Sequence, residues 1–261
     1  MAKNKDSFAS TLFIVVGLCL ICSIFVSTAA VLLKPTQQEN KLLDKQKYIL
    51  EAAGLIDPQA KLNKKEILNT YKKYVQAKVV DLKTGDMVPG VDGDTYDQKK
   101  ASRDPSTSFV PEHDIASVKR VADNAVVYLV HDEAGKLVTV IMPVHGYGLW
   151  STMYAFLAVK PDMNTVQNLV YYDQGETPGL GGEVQNPKWK AKWDGKKLFD
   201  ENGNIAIKVT KNPAVAASEY GVDALSGATL TSNGVQHTLT FWLGNEGFAH
   251  FIEKARNGGL S

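Results

Sequence analysis

The first hydrophobic run of the chain is long enough to cross a membrane. No charged residue occurs from Ser7 to Leu33, and from Thr11 onward almost every position is apolar or small. A helix needs about 20 such residues to span a bilayer, where its backbone groups are satisfied internally. The pattern predicts a short tail at residues 1–10 and one transmembrane helix at residues 11–33. A cleaved signal peptide is the alternative, because residues 27–30 are small, but the length of the run favours an uncleaved anchor.

Beyond this anchor the pattern changes to amphipathic helices. Apolar residues recur at helical spacing over 42–53, before Gly54, and again over 67–75 within a lysine-rich stretch. The lysines are expected on the wet face of the second helix. A short strand is predicted at 79–82. The stretch at 84–111, rich in Gly, Asp, Pro and Ser, is typical of a long surface segment.

The second half of the chain alternates as strands and ends in a helix. Strand-like runs occupy residues 125–130, 137–144, 154–159, 166–172 and 205–209. Residues 132–136 predict a hairpin turn between the first two strands. Apolar contacts then recur at helical spacing from Gly234 to Ile252, which predicts one helix. This order predicts an α+β fold, in which an antiparallel β-sheet has flanking helices and follows one N-terminal transmembrane helix.

Charge and cysteine content exclude several function classes. The 261 residues carry 29 basic and 28 acidic side chains, so no basic field attracts nucleic acid and no nucleic-acid partner is expected. Lysines flank the apolar run on both sides, so charge alone leaves its orientation open. Cys19 and Cys22 both lie in this run. They are expected to be small residues in lipid rather than a redox or metal pair, and no metal site is predicted.

The stretch at residues 223–229 carries the strongest chemical signal. Gly227 and Ala228 have almost no side chain, so the backbone there can approach a ligand closely. The stretch leads into a helical run that a polar side chain at residues 231–233 could cap. A helix N-terminus favours a phosphate, because its N–H groups are free and its dipole is positive. By composition alone, a plain turn and helix cap is the alternative.

The same stretch resembles a known attachment motif at every position. Its sequence, Asp-Ala-Leu-Ser-Gly-Ala-Thr, matches the flavinylation pattern Asp-x-x-Ser/Thr-Gly-Ala-Ser/Thr. In proteins with that pattern, the last hydroxyl carries flavin mononucleotide (FMN) through a phosphodiester bond. The resemblance therefore implies that Thr229 is a covalent cofactor anchor.

A glycine-rich loop offers a surface for a planar ring. Four glycines and a proline within residues 175–183 predict a rigid, tightly turned loop. Leu180 could pack on an isoalloxazine face, and Thr177 could bond to its rim. A connecting loop is the alternative, and the absence of a βαβ context excludes a dinucleotide fingerprint. Glu176 and Glu183 are expected as surface charges of the loop rather than as an acid–base pair.

A third segment, at residues 145–151, combines a strand end with two glycines and aromatic residues. Trp150 or Tyr147 could cover an aromatic cofactor. A strand-end turn with a core tryptophan is the alternative. His145 is not expected to bind a metal, because the other histidines show no ligand spacing with it.

Taken together, these features resemble the C-subunit (NqrC) family of the sodium-translocating NADH:quinone oxidoreductase of bacterial membranes. The resemblance covers nearly the whole chain and rests on the N-terminal anchor and on residues 96–98, 143–146, 148–151, 175–183 and 225–237. It implies an FMN-binding domain at residues 34–261, with a core at about 120–250. It also implies an inner-membrane protein whose flavin domain is periplasmic.

The resemblance further implies a role as an electron carrier in a pump of six subunits. Electrons pass from NADH on another subunit to ubiquinone, and sodium export is coupled to this transfer. A separate flavin transferase attaches the FMN, membrane lipid surrounds the anchor, and no residue acts as a catalytic acid, base or nucleophile. Besides Thr229, the predicted cofactor-binding residues are Ser226, Gly227, Ala228, Leu230, Thr231, Glu176, Thr177, Gly179, Leu180, Gly181 and Trp150.

Two alternatives stay open from the sequence. One is the homologous G subunit of the Rnf complex, which is linked to ferredoxin. The long segment before residue 125 and the Gly-Leu-Trp-Ser stretch at 148–151 favour the NqrC family over this alternative. The other is a membrane-anchored assembly protein without redox chemistry, which would carry no covalent flavin.

Overall fold

The computed structural model describes residues 8–57, 60 and 62–259. The chain divides at residue 45 into two compact units, and each is described by itself. The described residues of the first unit all belong to helix α1 (Phe8–Ala52), which has a window of mean hydropathy 2.6 and is long and apolar enough to cross a membrane. Residues 1–7 of the predicted tail lie outside the described residues, and residues 8–10 are already helical. The predicted limits of the domains stay predictions.

Helix α1 runs past the predicted anchor without a break. A separate helix over residues 42–53 was expected, but one 45-residue helix includes this range and continues through Pro35. Proline removes one backbone hydrogen bond of a helix, and the Gln, Glu, Lys and Leu residues that follow it are good helix formers. The helix ends at Ala52, and Gly54 follows in the left-handed conformation with φ +69°, as a stop signal does.

The second unit combines a β-sheet with short helices. Its elements, in chain order, are α2 (Lys64–Tyr74), β1 (Val75–Asp81), α3 (Gln98–Ala101), β2 (Ser108–Phe109), β3 (Val121–Ala122), β4 (Asn124–His131), β5 (Leu137–Tyr147), β6 (Thr152–Val159), β7 (Val166–Asp173), α4 (Pro187–Lys190), β8 (Lys208–Thr210), α5 (Pro213–Ala216), β9 (Gly221–Asp223), α6 (Thr229–Trp242) and α7 (Ala249–Arg256). The segment at 84–111, predicted as a surface excursion, contains α3 and β2.

The main sheet confirms the antiparallel α+β prediction. Five strands lie in the order β1-β4-β5-β6-β7, and each neighbouring pair is antiparallel. The predicted hairpin turn is present, since the Gly135 N–H donates to the Asp132 carbonyl at 3.0 Å. The predicted strand at 205–209 is wrong in its range. The strand observed there is β8, which begins at Lys208 and pairs in parallel with β9, apart from the main sheet.

Helix α6 packs against β5, and this contact places the first turns of α6 near the end of β5. The Trp242 indole N–H donates to the His145 carbonyl at 2.7 Å, and Val235 and Leu239 are buried. A Cβ atom on Gly234 would stand 2.5 Å from the Tyr147 carbonyl oxygen, so only glycine permits this approach. The start of α6 is therefore held near the end of β5.

The single C-terminal helix predicted over 234–252 is wrong. The structure has two helices, α6 and α7, separated by residues 243–248. The Phe248 N–H donates back to the Trp242 carbonyl at 2.7 Å and closes the turn between them. Gly244 and Gly247 in this turn disfavour a continuous helix. Phe248 and Phe251, which follow this turn, are buried in the core.

We expect Gly234→Ala to destabilise the protein. Alanine normally stabilises a helix over glycine by about 1 kcal/mol, but here its Cβ would overlap the backbone of β5. Overpacking of this kind costs about 1–3 kcal/mol. Urea unfolding of the full chain in detergent measures the change, with Asn233→Ala on the exposed side of the same helix as the control. An unfolding free energy raised by Gly234→Ala would contradict the close approach.

Candidate functional site

Thr229 opens helix α6 with an exposed side chain. Ala228 is the residue before the first turn, and in the part of the chain that the structure describes no side chain caps this helix end. The expectation that residues 231–233 cap the helix is wrong, because these residues lie inside it. The N–H groups of the first turn therefore keep their capacity to bind an anion, and the positive end of the helix dipole lies at Thr229.

Lys211 lies beside the Thr229 hydroxyl, although no local sequence pattern links them. Its ammonium donates to the Thr229 Oγ at 2.6 Å. The parallel pairing of β8 and β9 explains this proximity, because it places Thr210 opposite Asp223 at the start of the 223–229 stretch. The Asp223 carboxylate pairs in turn with Lys192 at 2.6 Å. Two ammonium groups thus contact the two ends of this stretch.

The remaining hydroxyls near Thr229 differ in exposure. Ser226 is exposed, whereas Thr231 and Ser232 are 1% and 2% exposed. The Ser232 hydroxyl accepts from the Leu225 N–H and donates to a carbonyl of the same loop, both at 2.9 Å. Ser232 therefore holds the loop from inside, and Ser226 and Thr229 are the two hydroxyls of this group that solvent reaches.

Glu176 joins three separate segments of the chain. Its carboxylate accepts the backbone N–H groups of Leu149, Trp150 and Ser151, the shortest of these bonds being 2.9 Å to Trp150. Its Oε2 atom also accepts a hydrogen bond from the Thr231 hydroxyl on α6 at 2.6 Å. One buried side chain thus connects the turn after β5, the glycine-rich loop and the start of α6.

The expectation that Glu176 is a surface charge of its loop is wrong. The side chain is only 5% exposed. Burial raises the pKa of its carboxyl, but the hydrogen bonds from Thr231 and from the backbone of 149–151 outweigh burial, so the pKa lies below its ordinary value. An ionised carboxylate only accepts hydrogen bonds, which suits a site with four donors. A Cβ on Gly181 would stand 2.5 Å from the Thr231 hydroxyl, so glycine is required beside this contact.

Exposed apolar side chains cluster on these three segments. Leu180, Leu230 and Trp150 are 45%, 58% and 65% exposed. The Cδ2 of Leu180 lies 3.1 Å from the position that a Cβ on Gly227 would take, so the glycine-rich loop touches the 223–229 stretch. Apolar side chains that stay exposed together mark a surface for a ligand or partner.

The structure brings together the segments that contain every predicted cofactor-binding residue. Thr177 and Gly179 lie on the glycine-rich loop, where the Thr177 carbonyl accepts the N–H groups of Leu180 and Gly182 at 3.1 and 3.0 Å. Gly181 and Thr231 instead pack around Glu176 in the interior. Sequence reasoning missed Lys211 and Lys192, because their partners lie 18 and 31 residues away in the chain.

The His145 ring packs between aromatic side chains. Its ring stacks on Tyr154 with centroids 5.3 Å apart and also faces Trp242. Burial, with a smaller contribution from Lys99, lowers the pKa of His145 to about 4, so the ring is neutral at physiological pH. Among the described residues, no group of three or more His, Cys, Asp or Glu side chains could hold a metal ion.

Comparisons with known proteins agree with this geometry. Residues 148–244 match the family model of the FMN-binding domain, and this range contains all three segments. The C subunit of the Na(+)-translocating NADH-quinone reductase of Vibrio anguillarum is 54% identical over 265 residues, with both chains covered completely. The chain belongs to this NqrC family. The corresponding protein of Pasteurella multocida is 49% identical, with 100% of this chain and 99% of the relative covered.

Solved structures of the family share the fold. NqrC of Shewanella oneidensis is 38% identical with a TM-score of 0.77, covering 84% of this chain and 99% of that chain. The corresponding protein of Parabacteroides distasonis is 27% identical with a TM-score of 0.66 over 84% of this chain and 96% of that one. The matches confirm the α+β prediction and favour NqrC over the Rnf alternative. They support FMN as the cofactor, and with α1 they fit a single-pass membrane protein.

We expect Glu176→Ala to lower the free energy of unfolding by about 2–4 kcal/mol, because buried donors lose their acceptor. Glu176→Gln keeps the shape and one acceptor oxygen and is expected to lose less. Urea unfolding at neutral pH compares the two variants. Glu183→Gln, on the same loop, is the control. Equal stability of Glu176→Ala and the unmodified protein would contradict the bridging role.

The Glu176 charge also predicts a pH dependence. Its pKa is lower in the folded chain than the unfolded value of about 4.3. The ionised carboxylate therefore stabilises the fold above the unfolded pKa, and this contribution is lost as the pH falls through the folded pKa. The stability of Glu176→Gln should fall less steeply than that of the unmodified protein between about pH 7 and pH 3. Identical slopes would show that Glu176 carries no such linkage.

Proposed function

We propose that Thr229 carries FMN through a phosphodiester bond and that the chain relays single electrons in a sodium-translocating NADH:quinone reductase. The exposed Thr229 hydroxyl carries this proposal, since it stands at an uncapped helix start, 2.6 Å from the Lys211 ammonium. An anion bonded to this oxygen meets the helix dipole and a lysine together. The match to the flavinylation motif and to the FMN-binding domain supports the same assignment.

The three joined segments fit the cofactor in two parts. The phosphate end belongs to residues 226–230, where Gly227 and the α6 N-terminus offer backbone N–H groups. The ring end belongs to Leu180 and Trp150, whose exposed apolar surfaces suit the faces of a planar ring. Thr177, on the same glycine-rich loop as Leu180, offers a hydroxyl to the polar rim of the ring.

The chemistry divides between cofactor and chain. FMN, when bound, accepts and releases single electrons. The chain holds the ring, limits its access to water and fixes its distance from neighbouring carriers. Glu176 is buried and accepts hydrogen bonds from Trp150 and Thr231, so its role is to hold residues 149–151 near the start of α6. The proposal needs no acid, base or nucleophile from this chain during turnover.

The wider role follows from the activity named for the relatives. We infer that the chain works with partner chains in an assembly of six subunits, in which NADH delivers electrons elsewhere and ubiquinone receives them. One anchor helix in lipid forms no ion path by itself, so sodium movement belongs to partner chains. The flavin domain faces the periplasm, and a separate flavin transferase loads Thr229.

A membrane-anchored assembly protein without redox chemistry is the competing proposal. The exposed apolar side chains at 180 and 230 would suit a protein partner as well as a ring. Covalent flavin separates the two, because an assembly protein would have the mass of its amino acids alone.

Thr229→Ala tests the attachment directly. We expect the variant to fold and enter the membrane without covalent flavin, because the linking oxygen is gone, whereas Thr229→Ser should keep attachment. Intact mass spectrometry and in-gel flavin fluorescence after co-expression with the flavin transferase measure the outcome. Covalent flavin retained in Thr229→Ala would move the anchor, and Ser226 would then be the exposed candidate ahead of the buried Thr231.

Leu180→Glu tests the assignment of the ring end. A carboxylate in place of the exposed leucine changes the polarity and charge beside the ring, so we expect a shifted flavin absorption spectrum and a lower reduction potential with attachment intact. Val110→Glu, another exposed apolar position on the domain, is the matched control. A spectrum and potential equal to those of the control would remove Leu180 from the ring site.

A further inference from the structure

The lysine beside the anchor hydroxyl has its own part in this site. We propose that Lys211 is a positioning residue for flavin attachment. Its ammonium holds the Thr229 Oγ and neutralises the phosphate that becomes bonded to that oxygen. The inference rests on the proposed attachment at Thr229, and it adds a residue 18 positions away that lies outside the 223–229 motif.

The backbone around Lys211 is fixed on both sides. On one side, β8 pairs with β9, and the Thr210 carbonyl accepts the Ala224 N–H at 2.8 Å. On the other side, the Asn212 N–H donates to the Thr210 hydroxyl at 3.1 Å. The Asn212 side chain caps the following turn at 3.0 Å. The lysine side chain therefore extends toward Thr229 from an anchored base, which lowers the entropy lost when the contact forms.

The charge of Lys211 is available for a phosphate. Lys192, which contacts the other end of the loop, is already paired with the Asp223 carboxylate at 2.6 Å. Lys211 instead contacts a neutral hydroxyl, and no carboxylate among the described residues forms an ion pair with it. An ammonium in this state attracts an anion more strongly than one whose charge a carboxylate offsets.

The attachment step bonds a negatively charged phosphate to the atom that Lys211 contacts. The Oγ–P bond forms, the P–O–P anhydride bond of a flavin dinucleotide donor breaks, and the nucleoside monophosphate leaves. The hydroxyl proton passes to a base of the transferase, since a lysine ammonium only donates hydrogen bonds. The product is a phosphodiester monoanion next to the ammonium, so Lys211 stabilises the product and orients the attacking oxygen.

Single-turnover attachment tests the proposal. The flavin-free full chain in detergent is mixed with flavin transferase and flavin adenine dinucleotide, and intact mass spectrometry follows the gain of FMN. We expect Lys211→Met to slow attachment about tenfold or more, because a hydrogen bond to a charged group is lost. Lys211→Arg should retain most of the rate. Lys208→Met, the same charge change at an exposed position of β8, should match the unmodified protein.

Salt dependence separates a charge effect from a structural one. Exposed charges are screened at high ionic strength, so the difference between the unmodified protein and Lys211→Met should shrink as salt rises from about 0.02 to 0.5 M. If the two attachment rates differed by the same factor at every salt concentration, or were equal at low salt, the role of Lys211 would be overturned. Thr229 would then remain the anchor. Mass gain persisting in Thr229→Ala would instead overturn the attachment site on which the inference rests.

Discussion

The Glu176 carboxylate is the contact on which the arrangement of the site depends. It accepts three consecutive backbone N–H groups from the turn after β5 and the Thr231 hydroxyl from α6. These donors lie 25 to 55 residues from Glu176 in the chain, so no local hydrogen bond could hold the segments in place. A buried charge is costly unless it is fully hydrogen-bonded. Here four donors meet that requirement, so the buried charge stabilises the contact between the segments.

The two ends of the proposed cofactor site are built from different kinds of structure. The anchor end stands on α6, which Gly234 and Trp242 hold against the sheet. The ring end stands on loops, whose exposed leucine and tryptophan side chains can adapt to a planar group. A covalent bond on the rigid element and adaptable contacts on the loops would keep the cofactor attached while the loops adjust its surroundings. Gly181 lets the two parts meet, because any side chain there would overlap Thr231.

Local charge, rather than overall charge, characterises the site. The chain has a net charge of +1, which predicts no anion binding by itself. Lys211 and Lys192 nevertheless contact opposite ends of the 223–229 stretch. The parallel β8–β9 pair brings Lys211 close to this stretch, since it sets Thr210 opposite Asp223. A short two-stranded pairing outside the main sheet thus gives an otherwise balanced protein its cation at the candidate anchor.

The apolar helix, the antiparallel hairpin strands and the family can be inferred from the sequence alone, because they depend on local periodicity and on contiguous motifs. Sequence reasoning misjudged the features that depend on distant partners. Glu176 was expected on the surface, and the C-terminal helix was expected to run unbroken. Three features are seen only in the folded chain: Glu176 is buried, Thr229 begins α6, and the Lys211 ammonium contacts the Thr229 hydroxyl. Each of these follows from strand pairing and packing between residues far apart in the chain. Such contacts cannot be predicted from the spacing of residues along the sequence.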